Sequence, residues 1–135
     1  MNLNVNSLLI IGLGMIGSSI ALSSKLKGIK VYGIDLKKSI SDKALKKEIV
    51  DEIIESIDDI DSNKIDLIII SVPPKETLDL INQLEFLWNT NVTITETSSV
   101  KNHIKIENIS NLVLSHPIAG SDKSGLDAAD KNLFL

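Results

Sequence analysis

The sequence predicts a single α/β domain in which helices cover both faces of a doubly wound parallel sheet. Short apolar segments alternate along the chain with longer segments of helical spacing, which is the pattern of this class. The continuous apolar run 67–70 is typical of a parallel strand that is buried on both faces. With 135 residues, of which 43% are apolar, the chain is long enough for one domain with its own core.

Five strands are predicted, at residues 7–11, 30–34, 65–71, 91–95 and 111–114. Numbered along the chain, they are expected to have the spatial order 3-2-1-4-5, because right-handed crossovers join parallel strands. The segment 48–60 mixes acidic and apolar residues, and it predicts a short turn or strand followed by a solvated loop. The flank beside the fifth strand, where a sixth would pair, is expected to be an open edge that a second copy of the chain could cover.

Four helices are predicted, at residues 15–26, 39–47, 75–87 and 100–106. Ser39 or Ser41 is expected to cap the second helix through its hydroxyl group. Pro73 and Pro74 end the strand that precedes the third helix. The last part of the chain predicts a loop with glycine and serine residues and a short helical stretch.

A glycine-rich turn between the first strand and the first helix organises the chain. Gly12, Gly14 and Gly17 have the spacing G-x-G-x-x-G between a strand and a helix, which is the context in which this pattern binds a dinucleotide. The first glycine permits a tight turn, the second lets the backbone approach a pyrophosphate, and the third lets the helix pack on the strand. The positive end of the helix faces the phosphates, so Met15 and Ile16 are also predicted to bind the cofactor.

A carboxylate ends the second strand, about twenty residues after the glycines. Asp35 lies where an acidic residue receives the ribose hydroxyls of a dinucleotide. The negative charge would repel a 2′-phosphate, which favours NAD over NADP, although Lys37 and Lys38 nearby would weaken this preference. The alternative interpretation is a glycine-rich turn that binds no ligand.

Functional residues follow the ends of all five predicted strands. They are Gly12, Asp35, Ser71, Ser99 and His116. In an open α/β sheet, ligands bind at the edge where the strands have their carboxyl ends. The sequence therefore predicts one site along this edge, where Ser71, Val72 and Pro73 are expected to contact the cofactor and the last two form a flat apolar wall.

The composition argues against several functional classes. A net charge of −4 without a basic patch disfavours nucleic acid and anionic membranes as partners. The chain has no cysteine, which excludes disulfides, thiolate metal sites and cysteine nucleophiles, and no metal site is predicted. The first residues do not form a signal peptide and no apolar run is long enough to span a membrane, so a cytoplasmic location is expected.

Residues 115–125 carry a more specific signature, Ser-His-Pro-Ile-Ala-Gly-Ser-Asp-Lys-Ser-Gly. Together with the glycine turn and the sequence Ser-Ser-Val-Lys at 98–101, this segment closely resembles the prephenate/arogenate dehydrogenase family over essentially the whole chain. The resemblance implies a Rossmann-type fold. It also implies oxidative decarboxylation of prephenate or arogenate in tyrosine biosynthesis, with NAD or NADP as the hydride acceptor.

The resemblance implies catalytic and substrate-binding roles for His116 and Ser99. A neutral imidazole beside the ring hydroxyl of the substrate can accept the proton that this hydroxyl loses as the hydride leaves. Carbon dioxide then departs as the ring becomes aromatic, and Ser99 would orient the hydroxyl or the imidazole. Ser121 and Asp122 would shape the substrate pocket, and Ser98 would contact the nicotinamide side of the cofactor.

Members of this family continue into a helical domain that forms the dimer and binds substrate. Residues 1–135 are accordingly predicted to be an NAD(P)-binding domain that ends before that helical domain and before a sixth strand. The chain alone is expected to be inactive or weakly active. Two alternatives stay open: a nucleotide-binding module without turnover, and a β-hydroxyacid-type dehydrogenase with the same fold.

Overall fold

A computed structural model describes residues 4–98, 108–115 and 125–133. The first strand and helix have the predicted bounds, Ser7–Ile11 (β1) and Met15–Leu26 (α1). The elements that follow are β2 (Lys30–Ile34), α2 (Lys38–Lys46), β3 (Glu52–Ile53), a 3₁₀ helix (Ile57–Asp59), β4 (Leu67–Ile70), α3 (Pro74–Gln83), a 3₁₀ helix (Glu85–Leu87), β5 (Thr93–Glu96), β6 (Leu112–Leu114) and a 3₁₀ helix (Leu126–Ala128). The predicted helix 100–106 lies outside the described residues.

The strands form one parallel sheet with the order β3-β2-β1-β4-β5-β6. This confirms the doubly wound parallel fold, but the expected strand order is wrong. The segment predicted as the third strand, 65–71, is β4, and it pairs with β1 instead of β2. The position beside β2 belongs to β3, in which Glu52 pairs with Tyr32 and Ile53 with Gly33. A strand of two residues is too short to show the period-two alternation by which strands are predicted.

The strand count also corrects the prediction of an absent sixth strand. Among the described residues the sheet has six strands. The additional strand is β3, which lies at the edge opposite the expected position and within the segment 48–60, for which a short turn or strand was predicted. At the other edge, β6 exposes 53% of Val113 and 45% of Leu114. A second copy of the chain at this edge stays a prediction. In the described ranges, no helix has both the length and the apolar character needed to cross a membrane.

Two apolar clusters lie on opposite faces of the sheet. Successive residues of a strand point to opposite faces, so Leu9 and Ile11 of β1 belong to the cluster under α3, while Leu8 and Ile10 belong to the cluster under α1 and α2. In β4, Ile69 faces away from Ile68 and Ile70 in the same manner. The two central strands therefore form a wall that both cores share.

The start of α2 differs from the prediction in a way that bears on the site. The N-cap residue is Lys37, and its side chain makes no capping hydrogen bond, so the predicted caps at Ser39 and Ser41 are wrong. Ser41 is buried, and its hydroxyl instead accepts a hydrogen bond from the backbone N–H of Asp35 at 3.1 Å. The serine thus stabilises the end of β2, where the predicted ribose-binding carboxylate lies.

The segment 125–133 packs against α1 and α2. Leu126 is buried in the cluster on that face of the sheet. The backbone N–H of Asp130 donates to the hydroxyl of Ser19 at 2.8 Å. The carboxylate of Asp127 accepts hydrogen bonds from the Nζ atoms of Lys43 and Lys47, both at 2.5 Å. These contacts fix the last described part of the chain against the first half of the domain.

Candidate functional site

Two of the three turn glycines are required by the packing of the protein itself. Gly12 has a φ of +101°, and a Cβ atom there would clash with the carbonyl group of Ser71. A Cβ atom at Gly17 would clash with the carbonyl oxygen of Gly12 and lie 2.9 Å from the Cγ2 atom of Ile10. The turn can therefore lie against the end of β4 and lead into α1 only if both positions lack a side chain.

Gly14 differs from the other two glycines. It is the N-cap residue of α1, and its φ of −81° is accessible to any residue. A Cβ atom at Gly14 would meet no heavy atom of the described residues within 4 Å. No side chain of the described residues caps this helix start, which leaves its first N–H groups available to a ligand beside Gly14. An open space at an uncapped helix N-terminus suits an anionic group such as a pyrophosphate.

The carboxylate of Asp35 joins the end of β2 to the glycine turn. Its Oδ2 atom accepts a hydrogen bond from the N–H of Leu13 at 2.9 Å, and its Oδ1 atom accepts one from the N–H of Lys37 at 3.0 Å. A carboxylate oxygen has two lone pairs, so each oxygen can accept a further hydrogen bond. The half-buried carboxylate thus combines a structural role with the capacity to bind two hydroxyl groups.

A cavity of about 390 Å³ lies beside Asp35 and the glycine turn. Six of the predicted cofactor residues line it. They are Gly12, Gly14, Asp35, Ser71, Val72 and Pro73. Met15, Ile16 and Gly17 form the start of α1 directly after Gly14. The structure thus brings three of the five strand ends together around one cavity, as the edge argument predicted.

One wall of this cavity, which α3 forms, was not predicted from the sequence. Glu76, Leu80 and Gln83 line it, together with Leu36 and Ile57. Residues three and four positions apart share a helix face, and the three α3 residues have this spacing. The signal was therefore present in the helix that follows the predicted apolar wall.

Glu96 holds the chain near the other two strand ends. It is fully buried at the end of β5, and its Oε2 atom accepts a hydrogen bond from the N–H of Ser98 at 2.8 Å. Its backbone carbonyl oxygen accepts another from the hydroxyl of Ser115 at 2.7 Å. Ser98, which was predicted to contact the cofactor, is itself buried. Glu96 thus contacts the residues that directly precede Ser99 and His116.

The remaining predicted residues lie outside the described part of the chain. They are Ser99, His116, Ser121 and Asp122. Their catalytic and substrate-binding roles therefore stay predictions.

Comparison with known proteins decides the family. Residues 20–135 match the family described as prephenate dehydrogenase, nucleotide-binding domain. The chain belongs to this family. The match begins after the glycine turn, so the geometry of the turn is an observation independent of it. The resemblance inferred from residues 115–125 and the two other motifs is confirmed.

Relatives within the prephenate dehydrogenase family are longer than this chain. A prephenate dehydrogenase of Lactococcus lactis is 37% identical over 142 residues, which cover 96% of this chain and 39% of that protein. The prephenate dehydrogenase of Aquifex aeolicus, solved with hydroxyphenyl propionate and NAD⁺, has a TM-score of 0.81 and 30% identity over 99% of this chain and 49% of its own. Synechocystis arogenate dehydrogenase has a TM-score of 0.85 and 27% identity over 96% of this chain and 47% of its own. The chain therefore spans less than half of each of these proteins.

Proposed function

We propose that this chain is the NAD-binding part of a dehydrogenase that oxidatively decarboxylates prephenate or arogenate in tyrosine biosynthesis. The observation that carries the proposal is the cavity between the uncapped start of α1 and the carboxylate of Asp35. The activities for which the relatives are named and the NAD⁺ held by the Aquifex aeolicus enzyme support it. The cofactor, when bound, supplies the acceptor for the hydride that the substrate ring loses.

Each part of the cavity suits one part of the dinucleotide. The backbone N–H groups of Met15 and Ile16 would donate hydrogen bonds to the pyrophosphate. The pyrophosphate can approach them because Gly14 has no side chain. Asp35 would accept hydrogen bonds from the hydroxyls of the adenosine ribose. Leu36 and Pro73 provide apolar surface beyond that ribose, where the base would lie.

The position of Asp35 favours NAD over NADP. A 2′-phosphate on the ribose would bring negative charge next to the carboxylate, and the repulsion is strong in a half-buried site. Lys37 lines the same cavity and would offset part of this repulsion. We therefore propose a preference for NAD.

His116 is the proposed proton acceptor. As the C–H bond of the ring carbon breaks and its electron pair leaves as hydride, the imidazole would take the proton of the hydroxyl on the same carbon. The bond to the ring carboxylate then breaks and carbon dioxide leaves. The electrons of that bond complete the aromatic ring, and the imidazole would return its proton to the ring oxygen. Ser99 would orient the hydroxyl or the imidazole, and Ser121 and Asp122 would shape the substrate pocket.

Replacement of Gly14 by alanine tests the binding site. Gly14→Ala should fold, because its Cβ atom meets no described neighbour, and the free energy of unfolding should change by no more than about 1 kcal/mol. The affinity for NAD should fall at least about tenfold, because the methyl group occupies the space of the pyrophosphate. Calorimetric titration with NAD and NADP and urea denaturation measure these quantities. The wild type should bind NAD about tenfold more tightly than NADP.

Gly12→Ala is the control, and it should lose stability because its side chain clashes with the carbonyl of Ser71. Normal NAD binding by Gly14→Ala would contradict the proposed pyrophosphate position. A wild type that binds neither dinucleotide would overturn the proposed function, and equal affinities for NAD and NADP would refute the preference alone.

The role of His116 is tested in a full-length enzyme that contains this domain. His116→Asn should bind NAD normally but lose turnover by about 10²- to 10⁴-fold, the usual contribution of general acid–base catalysis. The wild-type rate should fall at low pH as the imidazole becomes protonated, and the variant should lack this dependence. Ser99→Ala should lose less turnover. A His116→Asn enzyme with near-normal turnover would refute the assignment.

A second function, nucleotide binding without turnover, is favoured for the isolated chain by its short span relative to its relatives. The test is to mix the purified chain with prephenate and NAD and to follow the absorbance of the reduced cofactor. It asks whether the isolated chain turns over substrate or only binds the nucleotide. Binding of NAD without reduction would favour the binding module for the isolated chain and would leave the family assignment intact. The family assignment disfavours the β-hydroxyacid alternative.

A further inference from the structure

We propose that Glu76 makes the site selective for an adenine base by accepting a hydrogen bond from the 6-amino group of the ring. The inference rests on the proposed function, because it requires that a dinucleotide occupies the cavity beside Asp35. It assigns a specificity role to the wall that α3 contributes, which none of the predicted site residues supplies.

The part of the cavity beyond Asp35 suits a flat apolar ring. Leu36 follows Asp35 directly and is 81% exposed, so it presents apolar surface with no protein cover. Pro73 and Ile57 line the same cavity, and Leu80 lies within the apolar cluster beneath it. Cofactor sites typically combine such apolar walls with a small number of polar groups that fix the orientation of the ligand.

Two polar side chains of the α3 wall, Glu76 and Gln83, offer hydrogen-bond acceptors. Glu76 is exposed in the first turn of α3, and among the described residues its carboxylate has neither a hydrogen bond nor an ion pair. An ionised carboxylate accepts hydrogen bonds and cannot donate one. The Nε2 atom of Gln83 donates to the carboxylate of Asp79 at 2.9 Å, which leaves the Oε1 atom of Gln83 as a further acceptor.

Glu76 is the better placed of these two acceptors. The helix begins at Pro74, directly after the loop at the carboxyl end of β4, so Glu76 lies near the glycine turn. Gln83 lies seven residues further along the helix, which corresponds to about 10 Å along the axis. A base attached to the ribose bound by Asp35 reaches the first turn of α3 before the last one.

The chemistry of position 6 distinguishes adenine from an oxo-purine. Adenine has an amino group there, which donates a hydrogen bond, whereas hypoxanthine has a carbonyl oxygen, which accepts one. A carboxylate facing that oxygen would oppose two acceptors. Nicotinamide hypoxanthine dinucleotide keeps the rest of the cofactor unchanged, so it is the probe for this contact.

The experiment titrates the chain with NAD and with nicotinamide hypoxanthine dinucleotide by calorimetry. The wild type should bind NAD about tenfold more tightly than the analogue, because a hydrogen bond to a charged group is lost. Glu76→Gln should bind both within about twofold of each other, because an amide can donate as well as accept. Glu85→Gln is the matched control: Glu85 is an exposed acid in the 3₁₀ helix after α3, and it should keep the wild-type ratio. Thermal unfolding of each variant checks that the fold is intact.

The outcomes separate this inference from the function on which it rests. Equal affinities of the wild type for the two dinucleotides would overturn the inference while NAD binding stands. A wild-type ratio that persists in Glu76→Gln would refute the role of Glu76. The absence of binding to either dinucleotide would overturn the proposed function, and this inference with it.

Discussion

Ser18 and Ser19 are adjacent on α1 and both fully buried, but they differ in their hydrogen bonds. The hydroxyl of Ser19 accepts a hydrogen bond from the N–H of Asp130 at 2.8 Å. Within the described part of the chain, the hydroxyl of Ser18 has no hydrogen-bond partner. A buried polar group without a partner costs about 1–3 kcal/mol of stability. The two serines therefore contribute to the stability of the domain with opposite signs.

Alanine substitutions at these two positions test this difference. Ser18→Ala should raise the free energy of unfolding by about 1 kcal/mol, because it removes an unpaired hydroxyl and introduces the best helix former. Ser19→Ala should lower it by about 1 kcal/mol, because the N–H of Asp130 loses its partner. Urea denaturation measures both values, and each variant is the control for the other. A loss of stability in Ser18→Ala would show that its hydroxyl has a favourable contact.

At the scale of elements, Asp127 joins the segment 125–133 to α2. Lys43 of α2 and Lys47, the C-cap residue of this helix, lie four positions apart, and both ammonium groups reach the carboxylate. Their hydrogen bonds lower the pKa of Asp127 from 3.8 to about 2. All three side chains are exposed, so salt should weaken the contact.

The lowered pKa of Asp127 predicts a pH dependence of stability. Because the folded pKa lies below the unfolded value, this carboxylate stabilises the protein above about pH 3.8, and the contribution is lost as the pH falls through about 2. The wild type should therefore have a higher urea midpoint than Asp127→Asn near neutral pH, and the difference should vanish as the pH falls below about 2. High salt should reduce the difference near neutral pH. A difference independent of pH would contradict this explanation.

At the scale of the whole molecule, the two apolar clusters should unfold together. The strands β1 and β4 contribute residues to both, so neither cluster can lose its wall without disrupting the other. Trp88, the single tryptophan, packs against the cluster under α3 and donates through its Nε1 atom to the carbonyl of Ile81 at 3.0 Å. Its fluorescence therefore reports on one cluster, whereas far-ultraviolet circular dichroism reports on all helices.

Unfolding curves from the two signals should coincide, as they do for two-state domains of this size. The measurement is urea denaturation followed by both signals on the same samples. A fluorescence transition that precedes the change in circular dichroism would show that the cluster under α3 unfolds separately.

The sequence by itself determined the features that depend on short segments. The bounds of β1 and α1 follow from an apolar run, three glycines and a helical repeat. The position of Asp35 at the end of β2 follows from a second short apolar run. The family follows from residues 115–125 together with two shorter motifs. In each case the residues that carry the signal are neighbours in the chain, so no knowledge of distant contacts is needed.

The tertiary structure decided which segments lie beside one another. The strand β3 exists because the N–H of Asp51 donates to Val31 and that of Ile54 donates to Gly33, at 2.8 and 2.9 Å. These bonds form only once α2 has returned the chain to the edge of β2, and a two-residue strand has no pattern of its own. The same holds for Ser41, whose hydroxyl binds the end of β2 instead of capping α2, and for the face of α3 that lines the cavity. Such contacts join residues that are far apart in the chain. Local sequence does not distinguish them from other possible pairings, and the packing of the whole domain selects among these.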